Sequence, residues 1–258
     1  MQKKKAIRTL TSKWTKTLAL LKSNKLCSHV PETRLFNKSS VLSLLKKYQM
    51  VYVKPVNGSF GQGVIRVDQQ HTTTGRKYRY QHGTTSRSFD NYDAMYSSLS
   101  KSKLKRSYLV QKGIHLIKYN NRVFDIRIMV QKNRERKWEA SGYIGRVAHP
   151  KKIVTNFHNS GKPLPLETLL ERFVQGEQKQ KYISDLKRLG YQIAVHLNKH
   201  YPGFREVGVD IGVDKELKPW ILEVNTAPDP FIFNQLKDKR MFNQVIHYAR
   251  VNGRFRKK

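Results

Sequence analysis

Gly208-Val209-Asp210-Ile211-Gly212, followed by Trp220-Ile221-Leu222-Glu223-Val224-Asn225-Thr226-Ala227-Pro228, is the stretch on which the reading of this chain turns. Side chains alternate along a strand. Val207, Val209, Ile211 and Val213 then share a core face, and Gly208, Asp210 and Gly212 share the other. The flanking glycines leave space around the Asp210 carboxylate. In the second run Trp220, Leu222 and Val224 form the core face, with Ile221, Glu223 and Asn225 opposite. Paired as a hairpin, the two runs bring Asp210 and Glu223 together. Facing like charges cost a sheet about 0.2–1 kcal/mol unless a cation lies between them. Carboxylates completed by phosphate and water oxygens are what Mg²⁺ accepts, and Mn²⁺ takes the same ligands. Asn225 adds a neutral oxygen. Asp210 alone also fits an ordinary solvated strand face. With Glu223, Asn225, the glycines and Thr226-Ala227-Pro228, metal binding is the better reading.

Upstream, Val51-Tyr52-Val53-Lys54-Pro55-Val56-Asn57-Gly58-Ser59-Phe60-Gly61-Gln62-Gly63-Val64 joins two apolar runs. No Gly-Lys-Ser/Thr follows, so it is not a Walker loop. A strand rather than a helix comes next, so it is not a dinucleotide fingerprint. Gly58, Gly61 and Gly63 allow close backbone approach. The N–H groups around Ser59 and Gly61 can cradle phosphate, with Lys54 as a point charge at the strand end. A glycine-rich hairpin without a ligand fits the same residues.

Asp125-Ile126-Arg127 puts an acid and a base on one strand face, with Phe124, Ile126 and Ile128 on the other. Arg146 ends the next long strand. Arginines facing a metal site can hold a transferring phosphoryl group or an acyl phosphate. A surface Asp–Arg pair is the commoner arrangement in general. Residues 154–161 read as a polar loop, and the single His158 within it makes no case for zinc.

Around these motifs the chain reads as mixed α and β. Residues 1–30 are basic, with a weak helical pattern through Trp14, Leu18 and Leu21. A helix starts at an N-cap of Ser39 or Ser40 and runs to Tyr48. Strands follow at 50–56 and 63–67. Residues 69–88 are polar and read as an exposed ribbon, and 89–103 as a helix. Strands at 108–111, 122–131 and 137–147 precede helices at 166–175 and 180–200. In the second of these helices Ile183, Leu186, Ile193 and Leu197 share one face. Strands at 207–213 and 219–224 and a helix at 238–250 complete the chain. Antiparallel pairs without strict strand–helix alternation give an α+β architecture.

Composition sets the outer bounds. The 258 residues suffice for one large or two small units with a buried core. No apolar run approaches the ~20 residues a membrane span needs. The lone Cys27 excludes an internal disulfide and fits a reducing, cytoplasmic setting. Fifty-one Lys plus Arg against 18 Asp plus Glu give a net charge of +33, which attracts polyanions such as nucleic acid, acidic protein or anionic polymer. No arginine-rich tail or nucleic-acid module accompanies it, and a role in solubility explains the charge equally well.

In this order the pieces resemble the ATP-grasp superfamily, over residues 31–231. Val53-Lys54-Pro55 with Gly58-Ser59-Phe60-Gly61-Gln62-Gly63 is similar to its lysine strand and glycine loop over the ATP phosphates. Leu109-Val110-Gln111-Lys112-Gly113-Ile114 is similar to the hinge that meets adenine. Ser12-Lys13-Trp14 resembles a first ATP-contacting lysine motif. Asp125-Ile126-Arg127 resembles the motif whose arginine faces substrate and phosphate. The Asp210 and Glu223 runs resemble the paired Mg²⁺ motifs. Pro31-Glu32-Thr33-Arg34 and Glu223-Val224-Asn225-Thr226-Ala227-Pro228 further resemble the spore-coat-associated YheC/YheD family.

The resemblance implies two lobes whose antiparallel sheets sandwich ATP. Residues 1–30 are a basic segment, 31–115 a first lobe with the lid loop, and 116–258 a second lobe with the metal and substrate site. It implies a ligase that activates a carboxylate as an acyl phosphate for an amine or thiol. Arg127 and Arg146 would stabilise the transferred phosphoryl group. Lys13, Lys54, Ser59, Gly61, Gly63, Gln111, Lys112, Gly113 and Ile114 would hold ATP, and Asp210, Glu223 and Asn225 would hold Mg²⁺. With the charge, it implies an acidic peptide or polymer as substrate and a spore or coat location. Two departures accompany it. Residues 1–30 are too few for the extra N-terminal domain usual in the superfamily, and no acid lies between Gln111 and Asp125 to hold a ribose. A coat or scaffold protein that keeps the fold without catalysis is the alternative they favour.

Overall fold

Hydrophobic alternation and helical periodicity resolve into two sheets with helices on them in the computed structural model, which describes residues 9–59, 61–73, 75–149 and 162–255. The polar segment around His158 lies outside the described residues. Helix α1 (Lys13–Leu21) comes first, capped by the Ser12 hydroxyl on the Thr15 N–H. Next come strand β1 (Thr33–Leu35), helix α2 (Lys38–Tyr48) and strands β2 (Met50–Pro55), β3 (Ile65–Thr72), β4 (Gly75–His82) and β5 (Thr85–Phe89). Helix α3 (Tyr92–Ser102) and strand β6 (Tyr108–Lys112) complete the first lobe. Its sheet has the order β1-β6-β2-β3-β4-β5, every neighbour antiparallel. Val41, Leu44, Leu45, Val53, Val67 and Met95 are among the residues that pack α2 and α3 on one face. The opposite face looks into the cleft between the lobes.

The second lobe holds β7 (Lys118–Tyr119), β8 (Arg122–Lys132), β9 (Trp138–Val147), β10 (Lys162–Leu164), β11 (Glu206–Val213) and β12 (Pro219–Asn225). Their order is β10-β9-β8-β11-β12, with β7 paired to β8. Helices α4 (Leu166–Leu170) and α5 (Gly176–His200) cover one face, and α6 (Arg240–Val251) covers the other. Ile183, Leu186, Ile193 and Leu197 of α5 are buried as the periodicity predicts. Phe124, Ile126 and Ile128 belong to the same core, which leaves Asp125 and Arg127 on the cleft side. Among the described residues no helix is long and apolar enough to cross a membrane.

Several local expectations are corrected. Residues 69–88 are a largely exposed ribbon, as expected, but they form regular strands that belong to the sheet. Strand β3 runs on to Thr72, and β4 and β5 extend the sheet, because Tyr78 and Tyr80 alternate inward and are buried. The Tyr80 hydroxyl bonds Ser98 and Ser102 of α3, both at 2.8 Å. Asn37, not Ser39 or Ser40, caps α2, its Oδ1 accepting the Ser40 N–H at 2.7 Å. The helix expected over 166–175 ends at Leu170, and the chain goes on as a turn whose Phe173 and Val174 N–H groups share the Leu170 carbonyl. In α1 the buried residues are Lys16, Ala19 and Leu20, whereas Leu18 and Leu21 are exposed. Two anchors set that roll: the Lys13 N–H donates to Val56 O at 2.8 Å, and His196 Nε2 of α5 donates to Ala19 O at 2.8 Å. Ala19, Leu20, Leu26 and Val30 enter the second-lobe core, so the described part of this basic segment packs against the body.

Candidate active site

The β11–β12 hairpin places its carboxylates as the alternation requires. Asp210 pairs directly with Glu223 across the ladder. A bulge follows: Ile211 pairs with Ile221, so Leu222 is the extra residue. This shifts the phase of β12. Ile221, not Leu222, joins Val224 in the core, while Leu222 and Glu223 both face the cleft. Nor do the flanking glycines leave open space. A Cβ on Gly208 would stand 2.6 Å from Pro228 Cβ, and one on Gly212 would stand 2.5 Å from Leu116 Cδ2. The glycines let neighbouring chain close over Asp210. The Thr226–Pro228 loop is held from both sides, by the Leu10 N–H on Thr226 Oγ1 at 2.8 Å and by Arg254 on the Pro228 carbonyl.

Asp210 is buried beneath two arginines. Arg127 Nε and Nη2 donate to Oδ1 and Oδ2 at 2.5 and 3.1 Å. Arg146 Nη2 lies 3.0 Å from Oδ1, while its Nε and Nη2 donate to Asp125 at 2.8 and 2.6 Å. Two acids and two bases form a neutral buried square. Burial alone would raise the Asp210 pKa, but the guanidiniums of Arg127 and Arg146 outweigh it and hold the carboxyl below its ordinary value. A carboxylate has about four acceptor positions, and the arginines use three, so Oδ2 keeps one.

A cavity of about 660 Å³ opens between the sheets, within the range of small-molecule sites. Asp125, Asp210, Glu223, Lys13 and Lys54 are among its lining residues and lie close enough to act on one another. Lys54 Nζ donates to Gln111 Oε1 at 2.7 Å, and Gln111 Nε2 donates to Thr33 Oγ1 at 2.9 Å. Burial pushes the Lys54 pKa down to about 8, partly offset by the charge of Glu223. Lys13 Nζ donates to Gly58 O at 2.7 Å and pairs with Glu223 Oε1 at 3.2 Å. It thereby ties the glycine loop to the second lobe. Ser59 and Gly61 also line the cavity.

At the hinge, Gln111, Lys112 and Ile114 line the cavity, while Gly113 packs on Met50, its N–H donating to Met50 O at 2.9 Å. The Lys112 ammonium lies 4.3 Å from the Trp220 ring centroid and 5.0 Å from that of Tyr48. Gly63 stands behind the loop, where a Cβ would come within 2.7 Å of the Tyr108 hydroxyl. Asn225 pairs with Gly208 at the end of β12, beyond the residues that line the cavity. Arg127 and Arg146 lie behind the carboxylates rather than at the wall.

Sequence reasoning missed Arg66 and Arg79, which line the cavity from β3 and β4. Arg66 alternates with the buried Ile65 and Val67 opposite Tyr52, and Arg79 alternates with the buried Tyr78 and Tyr80 opposite Asp68, a signal that reading 69–88 as an exposed ribbon hid for Arg79. It also missed Lys16, a lysine in a helix that reads as solvent-facing. Among the described residues no cluster of three or more His, Cys, Asp or Glu side chains forms a metal cage. Mg²⁺, which leans on phosphate and water oxygens, fits a set of two carboxylates better than Zn²⁺ does.

Comparison with known proteins agrees with this fold. The family described as YheC/D like ATP-grasp matches residues 5–251. Endospore coat-associated protein YheD of Bacillus subtilis (strain 168) is 26% identical over 234 residues, covering 88% of this chain and 50% of the relative. Endospore coat-associated protein YheC of the same organism is 23% identical over 222 residues, covering 86% and 61%. The chain thus spans about half to three-fifths of the curated relatives it matches. Among solved structures, N5-carboxyaminoimidazole ribonucleotide synthetase from Thermotoga maritima shares the fold. Its TM-score is 0.50 at 13% identity, covering 93% of this chain and 49% of that one.

Proposed function

The chain belongs to the YheC/D-like ATP-grasp family, and from that premise we propose that it is an ATP- and Mg²⁺-dependent carboxylate ligase. The observation that carries the reading is the convergence of Lys13, Lys54 and Glu223 at one end of the cavity, beneath the glycine loop. Anionic phosphates match the two lysines and the loop. Glu223 and the fourth acceptor position of Asp210 would supply oxygens for Mg²⁺, with Asn225 two residues further along β12. Bound there, Mg²⁺ would neutralise charge on the phosphate oxygens.

The chain's own groups then have distinct tasks. Lys54, held by Gln111, offers its ammonium to the phosphates. Lys13 binds them and anchors the loop over them. Arg127 and Arg146 fix the Asp210 carboxylate and set a positive potential behind the reacting oxygens. The γ-phosphoryl group passes to a substrate carboxylate oxygen and ADP leaves. An amine or thiol then attacks the acyl carbon and phosphate departs. Positioning and fixed charge supply most of the acceleration. The +33 charge suits an acidic peptide or polymer as the carboxylate donor. The names of the two Bacillus relatives support a spore-coat association.

A second reading is nucleotide binding without turnover, in a coat protein that keeps the fold. The arginine-held Asp210 favours it. Titration calorimetry with ATP, with and without Mg²⁺, on the protein and on Glu223→Gln tests the site. Mg²⁺-dependent binding that the substitution weakens supports it. Binding indifferent to both Mg²⁺ and Glu223 removes the metal assignment. ADP release on adding acidic peptides separates ligase from binding protein.

A further inference from the structure

Lys16 is buried, with 5% of its surface exposed, yet among the described residues its ammonium has no hydrogen-bond or ion-pair partner. It lines a small cavity of about 30 Å³, room for about one water, behind the main one. The two cavities share Lys13, Lys54, Gln111, Leu222 and Glu223, so the small one adjoins the main one at those residues. The rest of its wall is neutral: Thr17 and Thr33 beside Leu20, Val30, Leu109, Ile221 and Val224.

The charges do not balance. Asp125 and Asp210 are paired by Arg146 and Arg127, so Glu223 is the one carboxylate here without an arginine, set against Lys13, Lys16 and Lys54. An excess of two positive charges in a half-closed site is costly unless an anion neutralises it. Burial already pushes the Lys16 pKa down to about 8, against the attraction of Glu223. Lys13 and Lys54 have other partners, the Gly58 carbonyl and Gln111, whereas Lys16 has none among the described residues.

We propose that Lys16 is a third anion-binding lysine of this cleft, a ligand for the phosphate oxygens that enter between Lys13, Lys54 and Glu223. Its role deepens the nucleotide reading above, but the shared chemistry is that of a polyphosphate, free or carried on a nucleoside. Lys16 sits one helical turn from Lys13 on α1, whose first residue is tied to the glycine-loop strand through Val56. The helix therefore presents both ammonium groups to one anion from the same side. The chain carries one more positive contact than the Lys13 and Lys54 motifs alone provide.

The test is titration calorimetry of ATP, AMP and inorganic triphosphate, each with Mg²⁺, against the full chain and against Lys16→Met and Lys16→Arg. The expected result is a loss of about tenfold or more for both triphosphates in Lys16→Met, the weight of one charged hydrogen bond. AMP should be affected less, and Lys16→Arg should recover most of the loss. A merely structural lysine would alter all three ligands alike or none. Unchanged triphosphate affinity in a folded Lys16→Met overturns the inference while leaving the nucleotide reading in place. Inorganic triphosphate binding that depends on Lys16, with no binding of ATP, sinks the nucleotide reading and keeps the anion site. No binding of either by the full chain removes both.

Discussion

Arg127 holds Asp210 with two hydrogen bonds across the β8–β11 ladder, at 2.5 and 3.1 Å, and Arg146 reaches the same carboxylate from β9 at 3.0 Å. Removing one member of a buried ion pair strands its partner and costs about 3–5 kcal/mol. Asp210→Asn should therefore lower the unfolding free energy by about 3 kcal/mol, read by urea denaturation. Its effect on ATP binding then mixes a lost ligand with a disturbed scaffold. A fully stable Asp210→Asn would show that the square is not stabilising.

Glu223 is the cleaner probe. Its carboxylate is partly open to the cleft and pairs only with Lys13 among the described ion pairs. Such a pair contributes more than an exposed one and less than the fully buried square, and Glu223 also offsets the charge of the buried Lys16 and Lys54. Glu223→Gln should lose less stability than Asp210→Asn while losing the Mg²⁺-dependent part of ATP binding. A drop in stability as large as that of Asp210→Asn would place Glu223 in the scaffold instead.

Lys112 links the lobes through aromatic faces, since it belongs to β6 and stacks on Trp220 of β12. A cation over a tryptophan face is worth about 0.5–2 kcal/mol. A double-mutant cycle of Lys112→Met and Trp220→Leu should give a coupling energy of about 1 kcal/mol. Additive losses would mean that the ammonium and the ring do not interact in solution.

Where the fold was legible, local periodicity coincided with burial. Asp210 and Glu223 could be placed opposite one another because two apolar-alternating runs flank a short turn. The bulge at Leu222 could not, because it depends on how β11 is gripped by β8 as well as β12. Tyr78 and Tyr80 carried the alternation of β4, but polar neighbours masked it. The face of α1 was misread for a related reason. Its own apolar residues name Leu18 and Leu21, and the contacts with α5 and β2 decide instead that Lys16 turns inward. A buried lysine has no sequence signature, because the anion it awaits is not part of the chain.

Gly63 tests the glycine loop. Its φ is +72°, and a Cβ would meet the Tyr108 hydroxyl at 2.7 Å and Leu104 Cδ1 at 3.0 Å. Gly83 has a φ of +60° with nothing within 4 Å of its would-be Cβ. Both alanine variants carry backbone strain of about 1 kcal/mol, and only Gly63→Ala adds overpacking of about 1–3 kcal/mol. Thermal unfolding should rank Gly63→Ala clearly below Gly83→Ala. Equal losses would mean that Tyr108 yields without cost.

Lys54 makes stability rise with pH in a window where most proteins lose it. Its pKa falls from an ordinary 10.5 to about 8 on folding, chiefly by burial. Below about pH 8 both states are protonated, and the full penalty of a buried ammonium is present. Between about 8 and 10.5 the unfolded chain binds more protons than the folded one, so the penalty fades as pH rises. One pKa unit is worth about 1.4 kcal/mol, which sets an upper limit of about 3 kcal/mol, reduced by the water that reaches the cleft. Lys16, lowered to about 8 as well, adds in the same direction. Tyr52 and Tyr108, whose pKa values burial raises, act oppositely as pH passes about 10, so the measurement belongs below that. Urea unfolding of the parent and of Lys54→Met at about pH 7.5 and 9.5 isolates the term. The parent should start less stable and close most of the gap by the higher pH. A gap that stays constant would mean that the Lys54 ammonium keeps its ordinary proton affinity in the empty cleft.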